Sequence, residues 1–492
     1  MKYFIGADLG TSALKLLLVD SDGKILNTVT KSYDVSYPKP GWSEQSPSDW
    51  WNAFTVGVKE LTKDFDKEKI TAICTAGQMH GLVILDKNDE VIRPAILWND
   101  GRTYKETEYL NEVIGKQKLS DLTANIAFAG FTLPKILWVK NNEPENFVKI
   151  EKVMLPKDYI NYKLTNIHAT DYSDASGMLL LDVKNKCWSK KMLEICDMTE
   201  DKMPRLFESF EKIGTVTPEI SKALGLSDSV TVCAGAGDNA GAAIGTGTIG
   251  EGKCNISLGT SGTIFISSEN FGVDENNALH SFCHSDGGFH LMGCMLSAAS
   301  CNKWFCDEVL ETDDYAGQQE KITDDLLGNN NVFFLPYLMG ERSPINDTDA
   351  TGMFIGLRPN TKRHEMVLAI LEGVAFAIRD NVEVAKKLGI NISKSTVCGG
   401  GAKSKLWLKI IASVLNIELE IPTIEEGPGY GAAMLAMTSV GEFSSVSECV
   451  DKICEKKETV KPDENLVKLY DEKYRKFSEI YPATKELFKK LK

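Results

Sequence analysis

Asp8 stands directly before Leu9-Gly10-Thr11-Ser12, which places a carboxylate at the mouth of a run of small residues. Small residues at a hairpin tip leave backbone N–H groups uncovered, and such amides can cradle an anion. Gly10, Thr11 and Ser12, with Lys15 just beyond them, are therefore candidate phosphate-binding residues. A carboxylate beside bound phosphate is unfavourable unless a cation lies between them, and Mg2+ is the usual one. Asp8 would face that ion through water. The competing reading is an ordinary hairpin whose Asp8 faces solvent.

The same turn returns in the second half. Ser257-Leu258-Gly259-Thr260-Ser261-Gly262 repeats it between two strand-like runs, Cys254 to Leu258 and Thr263 to Ser267. One phosphate-type turn per half predicts a duplicated fold with nucleotide held between the copies. Gly259, Thr260 and Ser261 are its candidate contacts. Ser257 replaces the acidic residue, so the halves are not equivalent and the chemistry is expected nearer the first.

Three further stretches carry reactive or recognising groups. Val230 to Ile244 runs as a buried strand through glycines to Asp238 and Asn239, then continues as a helix of very small residues. Asp238 reads either as a helix N-cap or as a general base at a crevice, and one carboxylate can serve both. Met79 and His80 follow the apolar run Lys69 to Thr75, at a strand's carboxyl end where α/β sheets bind ligands. Against ligand contact stands the commoner structural role of a lone His. Asn99, Asp100 and Arg102 can recognise hydroxyls, or Asn99-Asp100-Gly101 can be only a turn. In the second half, Thr396 to Ser404 reads as strand, Gly-rich turn and helix. Gly400, Gly401, Ala402 and Ser404 are then candidate nucleotide contacts at a helix N-terminus, although the turn lacks the dinucleotide and Walker spacings.

The elements that must position these groups follow from patterning. Phe4 to Ala7, Lys15 to Val19 and Lys24 to Lys31 form a β-meander, with a turn at Asp22-Gly23. Ser46-Pro47-Ser48-Asp49 starts a helix running to about Asp64. Helical stretches recur at Thr132 to Asn141, Pro156 to Leu164, Thr217 to Leu224 and Thr361 to Lys387. Glu426 to Ala433 echoes Gly237 to Ala243, giving each half a small-residue connector helix. The fold class is α/β, with domains at 1–249 and 250–492.

Composition bounds the partners. The 492 residues carry a net charge of −14, which argues against non-specific nucleic-acid binding. Twelve Cys occur without a CxxC pair, and Cys74, Cys233, Cys254 and Cys398 sit in apolar strand-like runs as reduced core thiols. His280, Cys283 and His284 cluster either around a metal or, more simply, by alternation along a strand. No leader pattern and no apolar run of membrane-spanning length is present, and the expected location is cytoplasmic.

Taken in order, phosphate turn, connector, second phosphate turn, Gly-rich loop and second connector resemble the actin-like ATPase superfamily, with two ribonuclease-H-like domains around a central cleft. Within it the chain resembles the FGGY family of carbohydrate kinases, most closely those members that act on xylulose. The segments concerned are Trp42 to Gln45, Ala76 to Gly81, Leu97 to Arg102, Leu155 to Tyr159, Gly237 to Asn239, His280 to His284, Met295 to Ser300 and Gly340 to Arg342. The resemblance implies ATP-dependent, Mg2+-assisted phosphorylation of D-xylulose at its 5-hydroxyl in pentose catabolism. Asp238 becomes the proton acceptor and Asp8 the acidic residue near Mg2+. Met79 and His80 occupy the sugar-contact position where glycerol kinases carry an Arg-Glu pair, and Trp98, Asn99, Asp100, Asp238 and Asn239 are implied as further sugar contacts. Its partners are the sugar and ATP, without nucleic acid or membrane, and a homodimer is compatible with it. Ala13 and Tyr430 depart from the family pattern, each replacing a smaller residue. The rivals are a family kinase for another ketopentose or polyol, an ATPase whose output is conformational, and a sugar sensor that has lost catalysis.

Overall fold

Alternating apolar residues build the opening meander in the computed structural model, which describes residues 1–491. β1 (Tyr3–Leu9), β2 (Ala13–Asp20) and β3 (Ile25–Ser32) pair antiparallel, with Asp8 opposite Lys15. β4 (Ile70–Gly77) joins β1 in parallel register. Beyond it, β5 (Lys212–Thr215) pairs antiparallel with β6 (Thr231–Cys233), while β6 and the short β7 (Ala236–Gly237) both run parallel to β4.

The period-2 pattern of these strands sorts side chains onto two faces. Ile5, Ala7 and Leu9 share a buried cluster with Leu14, Leu16 and Leu18. Trp50, Phe54, Val58 and Leu61, at helical spacing along the helix Pro47–Leu61, complete it. The helix Gly427–Ser439 covers the other face, where a Cβ on Gly6 would fall 2.0 Å from the Gly429 carbonyl. Tyr430 is the family departure that this packing explains: its buried hydroxyl donates to the Gly23 carbonyl at 2.7 Å.

This helix corrects the expected division of the chain. One compact unit comprises Met1–Ile249, Ser281–His290 and Glu426–Cys454, and the other comprises Gly250–His280, Leu291–Glu425 and Glu455–Lys492. The two small-residue helices are thus not one connector per half. Both belong to the first unit, where Asp238–Gly245 packs directly on Gly427–Ser439.

Their backbones meet so closely that a Cβ on Gly431 would lie 1.9 Å from the Gly241 carbonyl. Gly431→Ala is expected to destabilise the first unit by about 1–3 kcal/mol through overpacking. Equilibrium urea unfolding followed by fluorescence reads this directly, and a wild-type midpoint would mean that the crossing opens without cost.

The second unit repeats the plan of the first. β8 (Lys253–Leu258) and β9 (Gly262–Ser268) form its hairpin. The strands β10 (His280–Cys283) and β11 (Phe289–Met295) follow as the next hairpin, of which Ser281–His290 belongs to the first unit and His280 and Leu291–Met295 to this one. On the other side, β12 (Lys394–Cys398) joins β8 in parallel, β13 (Glu418–Pro422) joins β12 in parallel, and β14 (Lys456–Val460) closes the edge antiparallel. The helices Arg363–Lys387, Lys405–Leu415 and Glu464–Phe488 bury Leu371, Phe376, Trp407 and Tyr470 in this unit's core. Glu341, in the loop 340–344, is buried there and accepts the Leu296 and Arg342 amides at 2.9 and 2.8 Å. Among the described residues, no helix is long and apolar enough to cross a membrane.

Candidate active site

Register brings the reactive residues of the first unit to one sheet edge. Leu9 of β1 pairs with Gly77 of β4, and Gly77 pairs with Gly237 of β7. Adjacent strands lie about 4.8 Å apart. Asp8, Met79 with His80, and Asp238 therefore stand at or just beyond the carboxyl ends of three neighbouring parallel strands.

Asp238 is the first residue of its helix, and the capping position falls on Gly237, so the N-cap reading is corrected by one residue. Its Oδ1 accepts the Asn239 backbone amide at 2.7 Å and the Asn239 side-chain amide at 2.9 Å. Asn239 thus orients the carboxylate. Oδ2 has no protein partner among the described residues. Burial raises the Asp238 pKa to about 6, against the two Asn239 bonds, which lower it. The result is a carboxylate with one oxygen fixed and one open, titrating near neutrality as a general base does.

Asp8 is raised to about 7, first by burial and then by the charge of Asp238. Lys15 opposes these effects and Glu426 adds to them. Glu426, which sequence reasoning passed over, immediately precedes the helix Gly427–Ser439 and forms an ion pair with Lys15. The Lys15 ammonium thus already has one carboxylate partner in Glu426. Asp8, Asp238 and Glu426 leave the edge short of positive charge, but among the described residues no three acidic, His or Cys side chains converge closely enough to hold a metal ion directly.

The first turn is built as an amide cradle with one correction. The Gly10 amide donates to the Ala13 carbonyl at 3.0 Å and is not available. The amides of Thr11 and Ser12 donate to no protein group among the described residues. Their carbonyls are fastened instead, that of Thr11 by Gln45 Nε2 at 2.7 Å and that of Ser12 by the Tyr33 amide at 3.1 Å.

His80 is held on every side. Its backbone is left-handed, with φ 70°, and its carbonyl accepts Thr132 Oγ1 at 3.0 Å and Lys135 Nζ at 2.8 Å. Its ring stacks on Phe131 at 4.7 Å, and Nδ1 lies 2.8 Å from the Gly177 carbonyl. Met79 is buried against Gly237, next to Asp238. Trp98 is 44% exposed and donates from Nε1 to Thr11 Oγ1 at 2.9 Å, joining two of the predicted segments. Asn99 is exposed beside it.

Asp100 plays a different part from the hydroxyl recognition expected of it. Its oxygens accept the Ser43 amide at 2.5 Å and the Arg102 amide, Nε and guanidinium NH2 at 2.9, 2.9 and 2.7 Å. Buried and fully engaged, it is a strut that shapes the loop bearing Trp98 and Asn99. The His280, Cys283 and His284 group likewise serves local structure. His284 Nε2 lies 2.9 Å from the Thr248 carbonyl, its Nδ1 accepts the Ser285 amide at 2.7 Å, and Cys283 Sγ donates to the Val183 carbonyl at 3.7 Å.

The second unit holds a cavity of about 860 Å³ lined by Gly259, Thr260, Gly400, Gly401 and Trp407. Drug-sized ligands occupy cavities of roughly 300–1,000 Å³. The second turn repeats the construction of the first. Its Thr260 carbonyl accepts the Ala298 amide at 3.0 Å and Ser300 Oγ at 2.7 Å, its Gly259 carbonyl accepts the Ala299 amide at 2.9 Å, and its own amides are open. Gly399, with φ 90°, bends β12 away so that Gly400 and Gly401 reach the cavity. Ser404 lines the cavity but spends its hydroxyl on structure, capping the Trp407 amide at 3.1 Å and donating to Gln319 Oε1 at 2.6 Å. Ala402 packs on the unit's core. Gln319 also lines the cavity with no local pattern to mark it in the sequence; Ser300, the last residue of the resembling segment 295–300, lines it too.

The chain is similar to known proteins. Residues 3–245 match the N-terminal domain, and residues 254–440 the C-terminal domain, of the FGGY family of carbohydrate kinases. A xylulose kinase of Escherichia coli K12 is 40% identical over 92% of this chain and 93% of its own. A xylulose kinase of Staphylococcus xylosus is 37% identical over 98% of this chain and all of its own. A crystal structure described as a xyloylose kinase from Brucella ovis superposes with a TM-score of 0.93 at 38% identity, covering 99% of this chain and 100% of that one. The two-unit plan is thus the ribonuclease-H-like, actin-like ATPase fold.

Proposed function

The chain belongs to the FGGY family of carbohydrate kinases, and from that premise we propose that it phosphorylates D-xylulose at the 5-hydroxyl using ATP. The observation that carries the assignment of roles is the Asp238 carboxylate: Oδ1 is anchored, Oδ2 is open, and burial raises its pKa to about 6.

Phosphoryl transfer has a loose, in-line transition state, so the protein's work is placement and charge stabilisation. Asp238 Oδ2 accepts the hydroxyl proton as the oxygen bonds to phosphorus, while Asn239 keeps the carboxylate turned toward it. Met79 and His80 hold the sugar, and the Phe131 stack, the Gly177 contact and the fastened carbonyl keep His80 from swinging away. Trp98 and Asn99 offer further contacts from the loop that Asp100 braces. In the first unit Thr11 and Ser12 offer phosphate-type amides, and in the second unit Gly259, Thr260 and Ser261 offer the same. The second unit's cavity takes the adenosine. Asp8, supported by Glu426, would hold Mg2+ through water, and the ion would supply positive charge against the phosphates. A homodimer accords with the resemblance, and sedimentation velocity measures it.

Specificity supplies a direct test. His80→Ala is expected to lower kcat/KM for D-xylulose by about 10–200-fold, the range for losing one well-fitted contact, with the KM for ATP unchanged. D-xylulose should also exceed glycerol, D-ribulose and L-xylulose in kcat/KM when ADP release is measured across the panel. A better rate on glycerol would sink the sugar assignment while leaving the kinase intact.

A further inference from the structure

Lys157, Asp158, Asp171 and Asp174 are completely buried within the first unit, and the chemistry above gives them no role. Lys157 Nζ lies 2.6 Å from Asp158 Oδ1, 2.9 Å from Asp171 Oδ1 and 3.7 Å from Asp174 Oδ2. Three carboxylates around one ammonium are costly to remove from water, and well-packed apolar residues often stabilise a core as much or more. Stability alone is therefore a poor reason for the cluster.

One arm of it leads to the proposed base. Asp171 Oδ2 accepts three hydrogens: the Ser173 amide at 2.8 Å, the Ser173 hydroxyl, and the Ser209 hydroxyl at 2.7 Å. Because the Ser173 hydroxyl is spent as donor to this carboxylate, its lone pairs are directed elsewhere. They accept the Gly237 N–H at 3.1 Å and the Ser285 hydroxyl at 3.2 Å. Gly237 is the residue immediately before Asp238, at the junction of β7 and the helix. Burial of Asp174 pushes its carboxyl well up against the opposing Lys157, and Asp158, Asp171 and Asp238 add to that rise.

We propose that Lys157, Asp171 and Ser173 form a positioning relay that fixes the Gly237 amide and so sets the direction of the Asp238 carboxylate; this rests on Asp238 being the base. The charge of Lys157 fixes Asp171, Asp171 fixes which way the Ser173 hydroxyl points, and Ser173 fixes the backbone at the catalytic junction. A group misplaced by about 1 Å can lose on the order of 10² in rate.

The test compares Ser173→Ala, Ser173→Thr and Asp171→Asn with Asp238→Asn. Ser173→Ala should keep its melting temperature within a few degrees and bind D-xylulose with unchanged affinity by calorimetry. Its kcat should fall about 10–100-fold, the scale of such misplacement. Ser173→Thr, which retains the hydroxyl, should recover most of that loss. Asp171→Asn reads the relay from its other end and should reproduce the fall in kcat even if the threonine variant folds poorly. A wild-type kcat in folded Ser173→Ala, beside an inactive Asp238→Asn, would overturn the relay alone. Equal losses of kcat and sugar affinity would overturn it too, marking general loosening. An active Asp238→Asn would instead remove the base assignment on which the relay stands.

Discussion

Asp238→Asn is expected to lower kcat for sugar phosphorylation by roughly 10²–10⁴-fold, the usual scale for loss of a general base. The substitution is nearly isosteric, so the fold and the affinity for D-xylulose should survive. The wild-type pH profile supplies a second reading. With Asp238 raised to about 6, kcat/KM should fall as pH drops through that value, because a protonated carboxyl accepts no proton. The asparagine variant should lose this acid limb. It should also ease Asp8, whose rise to about 7 owes its second-largest contribution to the charge of Asp238. Wild-type turnover in a folded Asp238→Asn protein would exclude Asp238 from the mechanism.

Lys157→Met is the substitution expected to cost most in stability, about 3–5 kcal/mol, the usual result of removing one partner from a buried ionic group. Asp158, Asp171 and Asp174 would be left buried without their common cation. The sign of the pH dependence follows. Burial already raises the carboxyls of Asp158 and Asp174 against the opposing Lys157, and loss of the ammonium raises them further, so folding favours their protonated forms. The variant's deficit should therefore grow as pH rises and shrink under mildly acidic conditions. Urea titrations of both proteins at several pH values would measure it, and a deficit that does not change with pH would rule out the electrostatic origin.

Much of the candidate site is legible from sequence because its parts are local. Asp8 with its turn, the repeated turn at 259–261, and Asp238 at a strand-to-helix junction each depend on residues a few positions apart. What sequence conceals depends on distant partners. Nothing near Lys15 announces that Glu426 will pair with it, because that meeting requires the helix Gly427–Ser439 to reach β1 and β2. Asp100 reads like an open recognition group until Ser43 and Arg102 close on it. Ser404 looks like a ligand contact until its hydroxyl caps the helix it precedes. Gly10 has a small side chain, but its amide is taken up by the geometry of the turn itself. The opening β-meander follows from the patterning, whereas the crossover order of the remaining strands and the assignment of 281–290 and 426–454 to the first unit do not. Small-residue helices look alike in both halves, and only the close approach of Gly431 to Gly241 distinguishes their packing from two separate connectors.

That same helix governs the order in which a newly made chain can mature. Residues 1–249 leave the ribosome first, carrying a sheet with one face still bare of the helix Gly427–Ser439, so that Phe4, Leu17, Val19 and Ala72 lack their eventual cover. At synthesis rates of about 5–20 residues per second, the missing helix arrives on the order of ten seconds or more later. During that interval the larger part of the second unit is made, and it can begin to order before the first is finished. The amino-terminal half of this polypeptide is therefore a long-lived nascent intermediate with an exposed apolar surface, the kind of surface that chaperones guard and that self-association exploits.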